Sequence, residues 1–279
     1  MQPDDPMRLE VRFAADLYRG TAGYYDTYRL PYPEAMLADL VRRAGVSGHG
    51  RLLDLACGTG QLAFPLRRWF SRVWAVDQEP DMVAAVRDKA AATGAVSIRP
   101  VVAGAQSLDA EPGYFELAVI GNAFHRLRRD QVAERILRWL RPGGCVALCW
   151  SAGPSAGEEG WQRALAATMD RWRAALDAEH RVPEGWDVPR RQRPDREVLS
   201  DAGFEWAGRE EFIIEHRWSL RELAGYVRST SALPASVLRD QADAFDADLA
   251  ARLGPFGHGG VFTQTVSFAY ELGRKPLVA

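Results

Sequence analysis

From residue 51 onward, short apolar runs alternate with stretches whose apolar residues recur at helical spacing. The runs at 51–55, 72–77, 97–103, 115–121 and 145–150 have the length of strands. Between the first two, Leu62, Leu66 and Trp69 predict a helix over 61–70. Pro80 opens a second helix, to about residue 92, in the first turn, where its missing N–H costs nothing. A third helix is expected from Asp130 through Arg141, and Pro142-Gly143-Gly144 then turns the chain into the fifth strand. This alternation predicts parallel strands joined by crossover helices.

Beyond residue 150 the pattern changes. A Gly/Ser/Pro-rich loop, an amphipathic stretch with Trp161, Leu165, Met169 and Trp172, and a Pro- and Arg-rich loop make 151–193 an inserted helical lid. A helix at 196–202, a strand at 205–216 and a helix at 219–228 follow, and Val237, Leu238, Phe245 and Leu249 share one stripe of a helix over 234–253. Period-two alternation at 261–272 predicts a final, antiparallel strand. The expected fold is α/β: a seven-stranded, mostly parallel sheet with an antiparallel last strand, flanked by helices. One domain over 1–279 is expected, with an N-terminal cap at 1–45, a core at 46–150, the lid, and completion of the sheet over 194–279.

The charge balance narrows the partners. With 35 basic and 37 acidic residues the formal charge is −2, so the chain lacks the electrostatic footprint of a nucleic-acid or anionic-membrane binder. The first eleven residues carry Asp4, Asp5 and Glu10 and lack the order of a secretory leader. Apolar runs such as 145–150 fall far short of the ~20 residues of a membrane span. A cytoplasmic location is the expectation, with Cys57, Cys145 and Cys149 as buried, reduced thiols.

Candidate chemistry concentrates where the first strand meets its helix, in Asp54-Leu55-Ala56-Cys57-Gly58-Thr59-Gly60. Open α/β sheets bind ligands at such junctions. Gly58 and Gly60 permit a tight turn and let a ligand lie against the backbone. Asp77 ends the second strand, where a carboxylate can accept both hydroxyls of an adenosine ribose. A pyrophosphate would be repelled by Asp54, and the third glycine of a GxGxxG pattern is replaced by Ala63. A ligand with an ammonium and a sulfonium suits that carboxylate better.

DLACGTGQ at 54–61, VDQEPDM at 76–82, FELAVIGNAFH at 115–125 and LRPGG at 140–144 resemble the successive motifs of class I S-adenosylmethionine-dependent methyltransferases, with their Rossmann-like fold. YYDTYRLPYP at 24–33 and the later LSDAGF, RWSLRELAGYVRSTS and VFTQTVSFAYEL resemble a small-molecule branch of that family. The resemblance implies S-adenosylmethionine as cofactor, with S-adenosylhomocysteine as its product. It also implies that Asp54, Ala56, Cys57, Gly58, Thr59 and Gly60 hold the methionine end and Asp77 the ribose. Gln78 and Met82 would face the adenosine edge, and Ala105 and Gln106 would border adenine. Gly104 and Gln106 stand where the family often has an acidic residue for the adenine amino group.

Asn122 and Ala123 would lie beside the methyl group, although Asn122 also suits a turn cap. His125 could accept the acceptor's proton or simply support its loop, and Phe124 could wall the acceptor pocket or pack in the core. Tyr18, Tyr24, Tyr25, Tyr28, Tyr32 and Arg29 crowd the segment before the first strand. There Arg29 could pair the cofactor carboxylate, Tyr24 could join it, Tyr25 could take part in catalysis, and Tyr18, with Trp161 of the lid, could line the acceptor pocket. Arg190, Arg191, Arg193 and Arg196 read as an anion site or, with Asp187 and Asp195 among them, as a solvated charged loop. The function expected is methyl transfer to an oxygen or nitrogen of a small molecule, without a metal. The rivals are a cofactor-binding module or cyclase of the same fold and a nucleic-acid methyltransferase. The last is disfavoured because Ala123-Phe124-His125 replaces the Pro-Pro-aromatic turn usual in enzymes that methylate base amino groups.

Overall fold

The computed structural model describes residues 13–14 and 16–277. Its strands are β1 (Arg51–Leu55), β2 (Arg72–Asp77), β3 (Ile98–Val102), β4 (Phe115–Gly121), β5 (Leu140–Ser151), β6 (Glu205–Ser219) and β7 (Val261–Arg274). They form one sheet in the order β3-β2-β1-β4-β5-β7-β6. Pairings among the first five are parallel, and β7 lies antiparallel to both β5 and β6. The sheet is therefore the one expected from the apolar pattern.

Helices α1 (Ala22–Tyr28) and α2 (Glu34–Ala44) precede β1, α3 (Ala63–Leu66) and α4 (Pro80–Thr93) flank β2, and α5 (Arg129–Trp139) leads into β5. Next come α6 (Gly160–Ala175), α7 (Val188–Gln192) and α8 (Asp195–Asp201), then α9 (Leu220–Arg228), α10 (Ala235–Leu238) and α11 (Ala242–Leu253). Successive strand residues point to opposite faces, and both faces of β1, β2, β4 and β5 are covered, which is why these strands read as apolar runs. Leu52, Val73 and Leu117 pack with Met36, Leu37 and Leu40 of α2 on one face. Leu53, Val76 and Ala118 pack with Ile136 and Trp139 of α5 and Val198 and Leu199 of α8 on the other.

Three expected elements differ. The helix over 61–70 shrinks to α3 and a 3-10 turn over Arg67–Trp69, because Gly60, at φ 84°, holds the chain in a turn until Ala63. The helix over 234–253 breaks at Arg239, whose φ of 46° ends α10 before α11 begins. The strand expected to begin at Cys145 begins at Leu140.

A third cluster forms the cap. Trp161, Leu165 and Met169 of α6 bury against Leu223 and Val227 of α9, Phe245 and Leu249 of α11, and Trp218 and Phe262 from strand ends. Helices are found within both stretches expected to hold them, 219–228 and 234–253, and side chains from both join this cluster, while β6 and β7 complete the sheet. A capping box starts α9: Glu222 N–H donates to Ser219 Oγ at 3.2 Å and Ser219 N–H to Glu222 Oε2 at 2.7 Å.

Candidate functional site

From β1 the chain builds outward to β2 and β3, then returns to lay β4 on the other side of β1. The crevice beyond the carboxyl ends of β1 and β4 is the ligand position of such sheets. Each of these strands is followed by a non-glycine residue in the left-handed region, Ala56 at φ 56° and Asn122 at φ 51°. Such conformations cost roughly 1–3 kcal/mol and cluster where a ligand must be met. Asn122 is held there from both sides: its Nδ2 donates to Ser151 Oγ at 3.1 Å, and its Oδ1 accepts from Ser151 N–H at 3.2 Å.

The glycine turn between β1 and α3 places two carboxylates. Asp54 is 1% exposed; its Oδ2 accepts from Ala63 N–H at 2.8 Å, and its Oδ1 is buried without a partner. Burial pushes its pKa up to about 7. Asp77 accepts from Gly58 N–H at 2.8 Å and Glu79 N–H at 2.9 Å, so it both shapes the turn and faces the crevice, and burial raises its pKa too. Gly58 is favoured by its φ of 54°, a left-handed conformation that side chains rarely adopt.

The N-terminal segment closes the crevice from above. Arg29 donates from Nε to Ser229 Oγ at 2.8 Å and from its amino groups to Tyr226 Oη and Ser229 O, both at 3.2 Å. Its guanidinium lies 4.8 Å from the Tyr25 ring centre and 4.5 Å from that of Tyr226. Among the described residues it has no carboxylate partner. Gly20 N–H donates to Asp81 Oδ2 at 2.8 Å, and the Lys89–Asp26 ion pair ties α1 to α4.

Two joined hollows result, with Tyr25, Ala56, Gly121 and Asn122 in the walls of both. The smaller, about 560 Å³, holds Asp54, Cys57 and Arg29 with Tyr32, Trp218 and Tyr226. The larger, about 1060 Å³, holds Gly58, Asp77, Gln78, Met82, Ala105, Gln106, Ala123 and Tyr18. Most residues expected at the site therefore do converge.

Others do not line either hollow. Thr59 is fully buried beneath the turn, and Gly60 faces the Phe64 ring. Tyr24 stacks on Tyr28, Phe124 packs in the core beside α5, and Trp161 lies against Phe262 inside the cap. His125 sits against Trp186 and accepts from Arg126 Nε at 3.3 Å. Burial, then the charges of Arg126, Arg190 and Arg129, push its pKa down to about 3, so a general-base role lacks both position and basicity. The arginine-rich loop is self-paired: Arg190 bridges Asp195 at 2.7 Å, Arg193 bridges Asp130 at 2.6 Å, and Arg191 bridges Asp187 at 3.3 Å. Its reading as an anion site is not supported.

Sequence reasoning missed Glu79, Arg126, Ser151, Trp218 and Tyr226, all in the walls. Glu79 was within reach, two residues past Asp77. The other four depend on which loops and cap elements fold over the crevice, which local pattern does not encode. A carboxylate oxygen of Asp54 and a guanidinium, each without a counter-charge among the described residues, line one hollow and complement an α-amino-acid zwitterion, and Asp77 beside Gly58 suits a ribose. The residues present fit S-adenosylmethionine.

Residues 52–144 match a family model described as a methyltransferase domain. An uncharacterized methyltransferase of Mycobacterium tuberculosis is 27% identical over 154 residues, 55% of this chain and 59% of the relative. The chain thus spans about three fifths of that relative's length. Among solved structures, one named for a type II methyltransferase, from Anaeromyxobacter dehalogenans, aligns with a TM-score of 0.57 at 22% identity, covering 90% of this chain and 99% of that one. The [4+2]-cyclase SpnF aligns with a TM-score of 0.50 at 20% identity, covering 90% and 84%. These two likenesses show the fold alone. Motif order, strand order and the family match agree: residues 52–144 are similar to a methyltransferase domain, set in a methyltransferase-like Rossmann fold.

Proposed function

We propose that the protein transfers a methyl group from S-adenosylmethionine to an oxygen or nitrogen atom of a small-molecule acceptor in the cytoplasm, without a metal ion. The observation that carries this reading is the presence in one hollow of the buried Asp54 carboxylate and of Arg29, which meets no carboxylate among the described residues. When bound, S-adenosylmethionine supplies a methyl group activated by its sulfonium. Asp54 would hold its ammonium, Arg29 its carboxylate and Asp77 the ribose, with Met82, Ala105 and Gln106 around the base. Tyr25, Ala56, Gly121 and Asn122, which wall both hollows, would frame the point where acceptor and methyl group meet.

Positioning and exclusion of water would supply most of the rate, since well-oriented reactants gain large effective molarities. Tyr25 is held protonated by burial, with its pKa pushed up to about 12, so it would orient rather than remove a proton. Calorimetry with S-adenosylhomocysteine and NAD tests the cofactor, and S-adenosylmethionine labelled at its methyl group, incubated with metabolite pools, tests transfer. Micromolar-range binding of S-adenosylhomocysteine, none of NAD, and label in a small product are expected. NAD binding without a response to S-adenosylhomocysteine would overturn the reading. Cofactor binding without label transfer would favour a binding module or cyclase, and label recovered in DNA or RNA a nucleic-acid enzyme.

A further inference from the structure

At the end of the larger hollow walled by the N-terminal segment lies a charge that the cofactor reading leaves unused. Arg126, four residues beyond Asn122 on the loop after β4, joins Phe13, Leu17, Tyr18 and Leu127 in the wall. Its guanidinium lies 4.9 Å from the Phe13 ring centre and 5.0 Å from that of Tyr18. Nε donates to the neutral His125 ring at 3.3 Å, and one amino group donates to Ser231 Oγ at 3.2 Å. The other amino group is buried, and among the described residues it has no hydrogen-bond partner and Arg126 makes no ion pair. A buried donor left unsatisfied is costly, and most such groups meet a partner. The acidic residues that line this hollow among the described residues, Asp77 and Glu79, come from the end of β2 and the start of α4.

We propose that Arg126 anchors the methyl acceptor and that the acceptor is a small organic anion, a carboxylate on a planar or apolar body. The proposal rests on the methyltransferase reading and adds the substrate class. One free amino group serves one anionic oxygen, and Phe13, Leu17, Tyr18 and Leu127 offer an apolar wall for the remainder of the molecule. A carboxylate held by a guanidinium is a weakened nucleophile, so it acts as the handle, and a second oxygen or nitrogen of the same molecule faces Asn122. Of the residues described in this stretch of the wall, Phe13, Leu17, Tyr18, Arg126 and Leu127, none is acidic, so an amine lacking an acidic group would find no counter-charge among them.

Benzoate and its neutral isostere benzamide are the probes, titrated into the full-length protein saturated with S-adenosylhomocysteine. Benzoate should bind at least tenfold more tightly than benzamide. Arg126→Met should abolish that preference while leaving S-adenosylhomocysteine affinity within twofold, and Arg126→Lys should retain part of it. Equal binding of the two probes, no binding of benzoate, or an unchanged preference in Arg126→Met would overturn the proposal. So would a loss of S-adenosylhomocysteine affinity in that variant, which would assign Arg126 to the cofactor. Arg126→Lys carries the test if Arg126→Met does not fold. Failure of the wild-type protein to bind S-adenosylhomocysteine would sink the methyltransferase reading instead, and the probes would then be compared on the ligand-free protein.

Discussion

Asp54 sets the pH behaviour of the site. Its folded-state pKa of about 7, against an ordinary 3.8, means that the folded chain binds this proton more tightly than the unfolded chain does. The stability it contributes is full below about pH 4 and is lost as pH rises through 7. Asp54→Asn should therefore melt at a higher temperature than the parent at pH 8 without cofactor, with the gap closing at pH 4.5. The same variant should bind S-adenosylhomocysteine at least tenfold more weakly by calorimetry. Asp77→Ala should weaken that binding by about 1.5–3 kcal/mol, the scale of charged hydrogen bonds, and an unchanged affinity would remove Asp77 from the site. His125→Asn should leave the pH profile of turnover unchanged once an acceptor is known, because a ring with a pKa near 3 does not titrate in the working range. Asp54, Gly58 and Asp77 were legible in the sequence because their chemistry is local: a turn of fixed geometry joined to a strand end. The fate of His125 was not legible, since it follows from Arg126, Arg129, Arg190 and Trp186 gathering around it from separate loops.

Among elements, the strands were the most readable: burial on both faces leaves β1, β2, β4 and β5 with apolar runs, and β7 alternates with period two. The cap helices were less so: the stripe on α6 announces a buried face without naming its partner, and that partner comes from residues 218–262. Contact between α1 and α9 was also invisible beforehand. It depends on Gly225, against which the Tyr28 ring lies so closely that a Cβ would overlap it. Since Arg29 follows Tyr28 and takes its partners from Tyr226 and Ser229, this contact sets the position of the guanidinium. Gly225→Ala should cost about 1–3 kcal/mol, the usual range for overpacking. It should also lower S-adenosylhomocysteine affinity, whereas Gly254→Ala, with open space around its Cβ position, should leave affinity unchanged.

For the molecule as a whole, the N-terminal segment is the bridge between sheet and cap: it meets α4 through Asp26 and Gly20, and the cap through Arg29 and through Arg181, which donates to Leu17 O at 2.9 Å. A ligand filling the hollows beneath it should tighten both contacts. Hydrogen exchange over residues 18–33 should slow on adding S-adenosylhomocysteine, and a chain beginning at Glu34 should fold yet bind it at least tenfold more weakly. Equal protection with and without ligand would make the segment a fixed wall. The position of β7 has a consequence for synthesis. β6 takes its place in the sheet through β7 alone, and 41 residues separate Ser219 from Val261. At about 5–20 residues per second, a nascent chain carries β6, with Trp206, Phe212 and Ile213, unpaired for roughly 2–8 s between the completion of β6 and the start of β7. During that interval a neighbouring ribosome's β6 is the competing partner, and crowding on one messenger should favour swapped, intermolecular sheets over the native one.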